Sequence, residues 1–410
     1  MKKFCVIILF GLLFNSLVAG GCSNHNSSQD TKKNTSETTA QNTVYNSSLN
    51  PFQNSSLNTS NNSVQDSSKD SSTDSSQNSS PTDCSSGIPS NPSDTDENPF
   101  EANESVPDVL GSVGHGLANP KLDKNGMRIP LNYNGGEMQI NYSVNATGAA
   151  KNIGFLVYVN GIAQPYKFNK TDSPYEYMHI FNIQEDNKDT QFKFIFTPIV
   201  GKKGDKLSIC ITSVYNPAFM PDMKKTSSYG GYHEILASEY SINFNKTSDT
   251  LKSSNIPKYE YLSNVKLSKS SVTNQLLDSF NGLMDKVDME SLNQSTYTKL
   301  YFNNKDIKLS SSLKVNKSGT IHMTFKIFGH PGIKYENTFY INHKALTNGK
   351  GISFETLLSK GDVRIIEADI NLDKLQNLNT FYVISVPTNS NAFPNDVIVP
   401  QKTPSVLLYK

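Results

Sequence analysis

The sequence predicts a mainly β protein, two tandem β-sandwiches preceded by a long polar segment. Three observations carry this. After residue 106, strand-length runs alternate apolar and polar side chains. Turn residues punctuate those runs at close spacing. Residues 23–105, by contrast, have no apolar period at all.

The strands read in order. Met138, Ile140, Tyr142 and Val144 alternate with polar neighbours, the period of a half-buried strand. Phe155-Leu156-Val157-Tyr158-Val159 is nearly continuous apolar chain closed by Asn160-Gly161, a hairpin signal. Residues 175–183 and the series Phe192, Phe194, Phe196 add two strands. A turn over 201–205 leads into Leu207, Ile209 and Ile211, and residues 235–244 close the set. Many short strands with turns between them are the pattern of a sandwich.

The second half repeats the first weakly. Gly154-Phe155-Leu156-Val157-Tyr158-Val159-Asn160 resembles Asn337-Thr338-Phe339-Tyr340-Ile341-Asn342. Ser213-Val214 followed by Ala218-Phe219-Met220-Pro221-Asp222 resembles Ser385-Val386 followed by Ala392-Phe393-Pro394-Asn395-Asp396. Matching order and spacing point to duplication, with one sandwich over 106–250 and another over 251–410. One segment breaks the β pattern: Leu276, Leu277, Phe280, Leu283, Met284 and Val287 recur at three and four residues. That predicts an amphipathic helix near 273–290, capped by Thr273 or Asn274, with its apolar face on the second sandwich.

At the N-terminus, Lys2 and Lys3 precede an apolar stretch over 4–14, too short to span a bilayer as a helix. Leu17-Val18-Ala19-Gly20-Gly21-Cys22 then resembles the lipobox of bacterial lipoproteins, although Ala19 stands where that pattern has a larger aliphatic residue. The resemblance implies a signal peptide over 1–22, cleavage between Gly21 and Cys22, and acylation of Cys22, which would hold the chain on the extracytoplasmic face of the membrane. Two further stretches, "GFLVYVNGIAQPY" over 154–166 and "TPIVGKKGDKL" with "SVYNPAFMPDM" after it, resemble an exported lipoprotein family of low-GC Gram-positive bacteria. That resemblance implies an immunoglobulin-like architecture and brings no activity with it.

Of the 83 residues in 23–105, 46 are Ser, Asn or Thr. Such a chain buries too little apolar surface to offset its conformational entropy and is expected to stay a disordered stalk. As a coil it would span roughly 50 Å, and fully extended about 300 Å. It carries 11 acidic and 3 basic side chains, whereas 106–410 carries 33 basic and 26 acidic, a net of +7. A mildly basic folded part favours anionic polymers or membrane surfaces, weakly. Arg128 and Arg364 are the only arginines, too few for a nucleic-acid site built from bidentate forks.

No catalytic motif stands out, no cofactor is implied, and the chain is not read as an enzyme. His233-Glu234 begins a zincin-like string, but Ala237 occupies the place of the second His. No Cys or His spacing fits a metal. Cys210 lies in an apolar strand and is expected to be buried and inert; His179 reads as a packed histidine. The Lys-Gly-Asp triplets at 203–205 and 360–362 are ordinary turn chemistry. The candidate binding loop is Tyr215 through Tyr232, holding Tyr215, Phe219, Met220, Tyr229 and Tyr232 between two prolines and a Gly-Gly pair. Prolines stiffen it, and exposed aromatics suit sugar stacking or a protein contact.

The expected function is therefore non-enzymatic: lipid-anchored display of a module that binds a cell-wall polymer, glycan or surface protein. The alternatives are a solute- or glycan-capturing lipoprotein serving a transporter, or a hydrolase with an unrecognised site.

Overall fold

The computed structural model describes residues 45–46, 111–148, 150, 152–220, 233–251, 255–280, 287–307, 312–349 and 351–410. Twenty-three strands are described: β1 Tyr45–Asn46, β2 Ser112–Leu117, β3 Leu131–Tyr133, β4 Met138–Thr147, β5 Asn152–Val159, β6 Ile162–Gln164, β7 Lys167–Phe168, β8 Met178–Asn182, β9 Thr190–Phe196, β10 Lys206–Tyr215, β11 Ile235–Phe244 and β12 Leu262–Ser271, then β13 Thr296–Phe302, β14 Lys305–Asp306, β15 Ser312–Lys314, β16 Thr320–Gly329, β17 Lys334–Ile341, β18 Lys344–Ala345, β19 Phe354–Leu357, β20 Asp362–Asn371, β21 Leu378–Pro387, β22 Gln401–Lys402 and β23 Val406–Tyr409.

They form two immunoglobulin-like sandwiches of the same topology. In the first, a sheet β11-β10-β5-β6, with β3 beside β11 and β8 beside β5, faces a sheet β2-β4-β9-β7. In the second, β23-β21-β17-β18, with β15 beside β23 and β19 beside β17, faces β12-β20-β16-β13-β14. Even the odd pairings recur: β3 lies parallel to β11, and β15 parallel to β23. The main strands of the two sandwiches thus correspond, while β1, β14 and β22 have no counterpart. One edge is also filled differently. The edge beside β9 is taken by β7, while the matching edge beside β20 is taken by β12, the segment that joins the sandwiches.

Local chemistry fixes the hairpins. Val159 pairs Ile162 across a two-residue loop whose Asn160 and Gly161 both have positive φ, 49° and 79°. Ile341 pairs Lys344 across Asn342 and His343, at 48° and 64°. This is the turn whose twist suits a tight hairpin, and Asn enters it readily. Each sandwich then fills its own interior. Ile140, Tyr142, Val144, Phe155, Phe192 and Phe194 belong to the first core; Met323, Phe325, Phe339, Phe381 and Val383 belong to the second.

The helix expected near 273–290 is shorter than its period implied. Thr273 caps it, its hydroxyl accepting from Leu276 N at 3.2 Å, but the helix α1 covers only Asn274–Asp278. The Ser279 hydroxyl bonds back to the Leu276 carbonyl, and Phe280 N bonds Leu277 O in a tightened last turn. A 3-10 turn follows at Ser291–Asn293. Leu276, Leu277, Phe280, Val287 and Leu292 nonetheless share one buried cluster with Tyr297, Phe328 and Val363 of the outer sheet. Leu283 and Met284 of the expected helix lie outside the described residues; the other apolar positions of the period share one buried face.

Candidate functional site

The sheet of β5 and the sheet of β17, each completed to seven strands by β1 beside β11 and by β22 beside β21, pack on each other through their outer faces, giving four sheet layers. Leu156, Tyr158, Ala163, Cys210, Val214 and Ile235 of the first sandwich meet Tyr340, Ala345, Tyr382, Ile384 and Val386 of the second. This explains β5, which is buried on both faces: Phe155, Val157 and Val159 point into their own core, Leu156 and Tyr158 into the seam.

The seam is nearly symmetric. Tyr158 pairs Cys210 and Ala163 within its sheet; Tyr340 pairs Tyr382 and Ala345 within its own. These two equivalent tyrosines hydrogen-bond each other, hydroxyl to hydroxyl at 2.8 Å, where a two-fold axis would pass. A residue touching its own counterpart is the mark of an isologous interface; here both halves lie on one chain.

Each sandwich also tucks its tight hairpin turn under the other's long loop. On one side, Gly161 presses against Thr388 and Glu336 of the second sandwich. A Cβ there would lie 2.7 Å from Thr388 Cγ2 and 2.9 Å from Glu336 Cβ, at φ 79°. Gly161→Ala is accordingly expected to lower stability by about 2–3 kcal/mol, through strain and overpacking together. An unchanged urea midpoint would show that the turn does not seat as described.

On the other side, His343 occupies the turn and takes hold of the 215–233 loop. Its Nε2–H donates to the Pro217 carbonyl at 2.7 Å, so its Nδ1 accepts from the Tyr382 hydroxyl at 2.9 Å. Burial pushes its pKa down to about 4. Wholly buried His233, at the far end of the loop, sets its ring edge-on to His343 at 5.0 Å. Burial, then His343 and Lys402, hold His233 well below the usual histidine range, against the pull of the Pro217 and Asn216 carbonyls. Lys402 Nζ lies 4.9 Å from the Tyr382 ring centre and donates to Thr403 O and Ser405 Oγ. Desolvation pushes it down to about 8, opposed by Glu234.

Of the loop residues singled out in the sequence, Tyr215 ends β10 half-buried against the first core, its pKa raised to about 12 by desolvation. Phe219 and Met220 stand in solvent at 38% and 40% exposure. Tyr229 and Tyr232 lie outside the described residues, as do Gly21, Cys22 and the stalk apart from β1. Of the three described residues of this set, Tyr215 is packed against the first core while Phe219 and Met220 are partly exposed in the stretch after Pro217. The residues that brace the loop, His343, Tyr382 and Lys402, carried no motif. Only the repeat of Tyr158 as Tyr340 hinted at the seam. Cys210 is buried there, its thiol pushed up to about 12. His179 is packed, its Nε2 donating to Tyr166 O at 2.8 Å. Among the described residues no group of three or more His, Cys, Asp or Glu is placed to hold a metal.

No family model matches this chain, and no curated protein matches it. Among solved structures, one named BspA_C_WT is similar at 8% identity over 71% of this chain and 99% of its own, with a TM-score of 0.19. CBD12 from CALX1.2 is similar at 7% identity over 65% of this chain and 80% of its own, with a TM-score of 0.14. The CupB6 tip adhesin from Pseudomonas aeruginosa gives 8% identity, 72% and 96% coverage and a TM-score of 0.14. Likenesses this slight carry no inference about what the chain binds.

Beside the seam runs a cleft of about 480 Å³, open to solvent, where the first sandwich meets Asn391 of the second. Its walls include Pro130, Lys206, Ser241, Asn243 and Asn245. Glu239, one step along the same face of β11, accepts from Ser390 Oγ at 3.3 Å and ties the 388–396 loop across the seam.

Proposed function

We propose that this chain is a lipid-anchored protein of the extracytoplasmic cell envelope, whose fused sandwiches form a rigid binding head for a wall polymer, glycan or surface protein. The lipid on Cys22 holds it at the membrane and the polar stalk gives it reach. The observation that carries the reading is the braced loop: it is clamped to the second sandwich at Pro217, and Phe219 and Met220 beside the clamp are partly exposed. A loop held at its root loses little conformational entropy when its tip is covered. The second reading, capture of a small solute for a transporter, fits the open cleft less well, because small solutes are mostly enclosed where they bind.

The test is a binding screen of the secreted chain against wall polymers, glycans and surface-protein extracts, with a Phe219→Ser, Met220→Ser double variant alongside. The variant should lose at least about tenfold in affinity while its stability stays within about 0.5 kcal/mol of the parent. Absence of any envelope partner would remove the reading. Fatty-acid labelling of the parent and of Cys22→Ala tests the anchor separately: label on the parent alone supports it.

A further inference from the structure

We infer that the cleft between the Gly-Lys-Lys-Gly-Asp-Lys turn at 201–206 and the 388–396 loop is a site for an anionic, hydroxyl-rich polymer. This rests on the binding-head reading and gives it a ligand class.

The first support is the arrangement of charge. Lys202, Lys203 and Lys206 are all exposed on one turn, and none pairs with a carboxylate among the described residues. The acids nearby, of which Asp205 lines the cleft itself, are each engaged in hydrogen bonds. Asp205 Oδ2 accepts from Lys202 N at 2.7 Å, closing the turn. Asp249 accepts from Tyr133 OH and Gly136 N, with Lys246 beside it. Glu239 is directed to Ser390 and Ser208. Carboxylates used as turn caps leave the lysine ammonium groups facing outward, where they favour an anion.

The second support is the floor. Lys206 is the register partner of Asn243 across β10 and β11, and both line the cleft together with neutral polar groups. Ser241, Asn243 and Asn245 continue along β11 and beyond its end, and Asn391 faces them from the second sandwich. Amide and hydroxyl groups in a row offer donors and acceptors to chain hydroxyls. The cleft is open to solvent rather than enclosed, which suits a polymer lying across it better than a sequestered small solute. Both walls are fixed, since Ser390 and Glu239 join them.

The probes are poly(glycerol phosphate), polygalacturonate and dextran, so that phosphate, carboxylate and neutral chains are compared. They are titrated against the secreted chain carrying Cys22→Ala. At least one anionic polymer should bind, more weakly as salt rises, and dextran should not. Ser241→Tyr, which fills the cleft from a surface position, and Asn391→Tyr, which fills it from the other wall, should each lower affinity at least tenfold. Changing Lys202, Lys203 and Lys206 together to Gln should do the same and flatten the salt dependence. Urea midpoints identify any variant that has lost its fold, and the remaining filler then decides. If an anionic polymer binds but the fillers and the lysine variant leave affinity within twofold, the cleft is not the site and the binding-head reading stands. Equal binding of dextran also overturns the inference. If neither these polymers nor any other envelope partner binds, both fail together.

Discussion

Lowering the pH from 6.5 to 4 is expected to destabilise the two-sandwich head by about 3 kcal/mol for each of two buried histidines. His115 and His343 share one arrangement. In each, Nε2–H donates to a carbonyl, Leu236 or Pro217, and Nδ1 accepts from a tyrosine hydroxyl, Tyr142 or Tyr382. A proton on Nδ1 would set N–H against O–H and bury a charge; both pKa values are pushed down from 6.5 to about 4 by desolvation. The unfolded chain therefore takes up protons first. The contribution is whole above pH 6.5, declines between 6.5 and 4, and is gone below. His233 shifts in the same direction. Glu239 and Glu336, raised by burial, offset part of the loss near the acid end. Urea unfolding at pH 7 and 4.5 measures it, and His115→Gln should remove its share of the slope. A flat profile across that window would mean these imidazoles are not neutral and enclosed.

Tyr382→Ala should cost about 3–5 kcal/mol, the range for a large buried side chain. Its ring is fully buried, stacks on Tyr340 at 5.1 Å and 19°, and lies beneath Lys402, while its hydroxyl orients His343. Tyr382→Phe should cost about 1–2 kcal/mol, because it strips a buried Nδ1 of its donor. The pair at the axis behaves differently. Tyr158→Phe and Tyr340→Phe each orphan the other hydroxyl, whereas the double change removes both, so the double variant should cost about 1 kcal/mol less than the sum. Loss of under about 1 kcal/mol for Tyr382→Ala would mean that the sandwiches do not depend on their seam.

The fold was legible where one periodicity had one cause. Met138 through Val144 alternated because one face of β4 is wet. The run Phe155 to Val159 was legible as buried, but its reason was not, since no local pattern distinguishes a core from a second sheet laid on the back. The seam depends on residues 158 and 340 meeting, 182 positions apart. Lys402 and His343 gave no signal because their roles come from what surrounds them. The segment from Val272 shows a related limit: spacing of three and four reports which side is buried, not how far a helix runs, and α1 is described over Asn274–Asp278 alone. For the loop after Tyr215, composition alone could not tell the packed Tyr215 from the partly exposed Phe219 and Met220.

The near-symmetric seam has a consequence for how copies of this molecule meet. Around the axis, the first half offers a thiol, Cys210, where the second offers the phenol ring of Tyr382, and a glycine, Gly161, where the second offers an imidazole. At each equivalent position the first half is small and the second is large. Two second halves brought together would crowd four phenol rings around one axis; two first halves would leave a gap lined by thiols. These differences make each half a better mate for its opposite, which the same chain supplies, than for a copy of itself. Pairing of like halves between two molecules should accordingly be disfavoured, and size-exclusion chromatography of the secreted chain is expected to report a monomer.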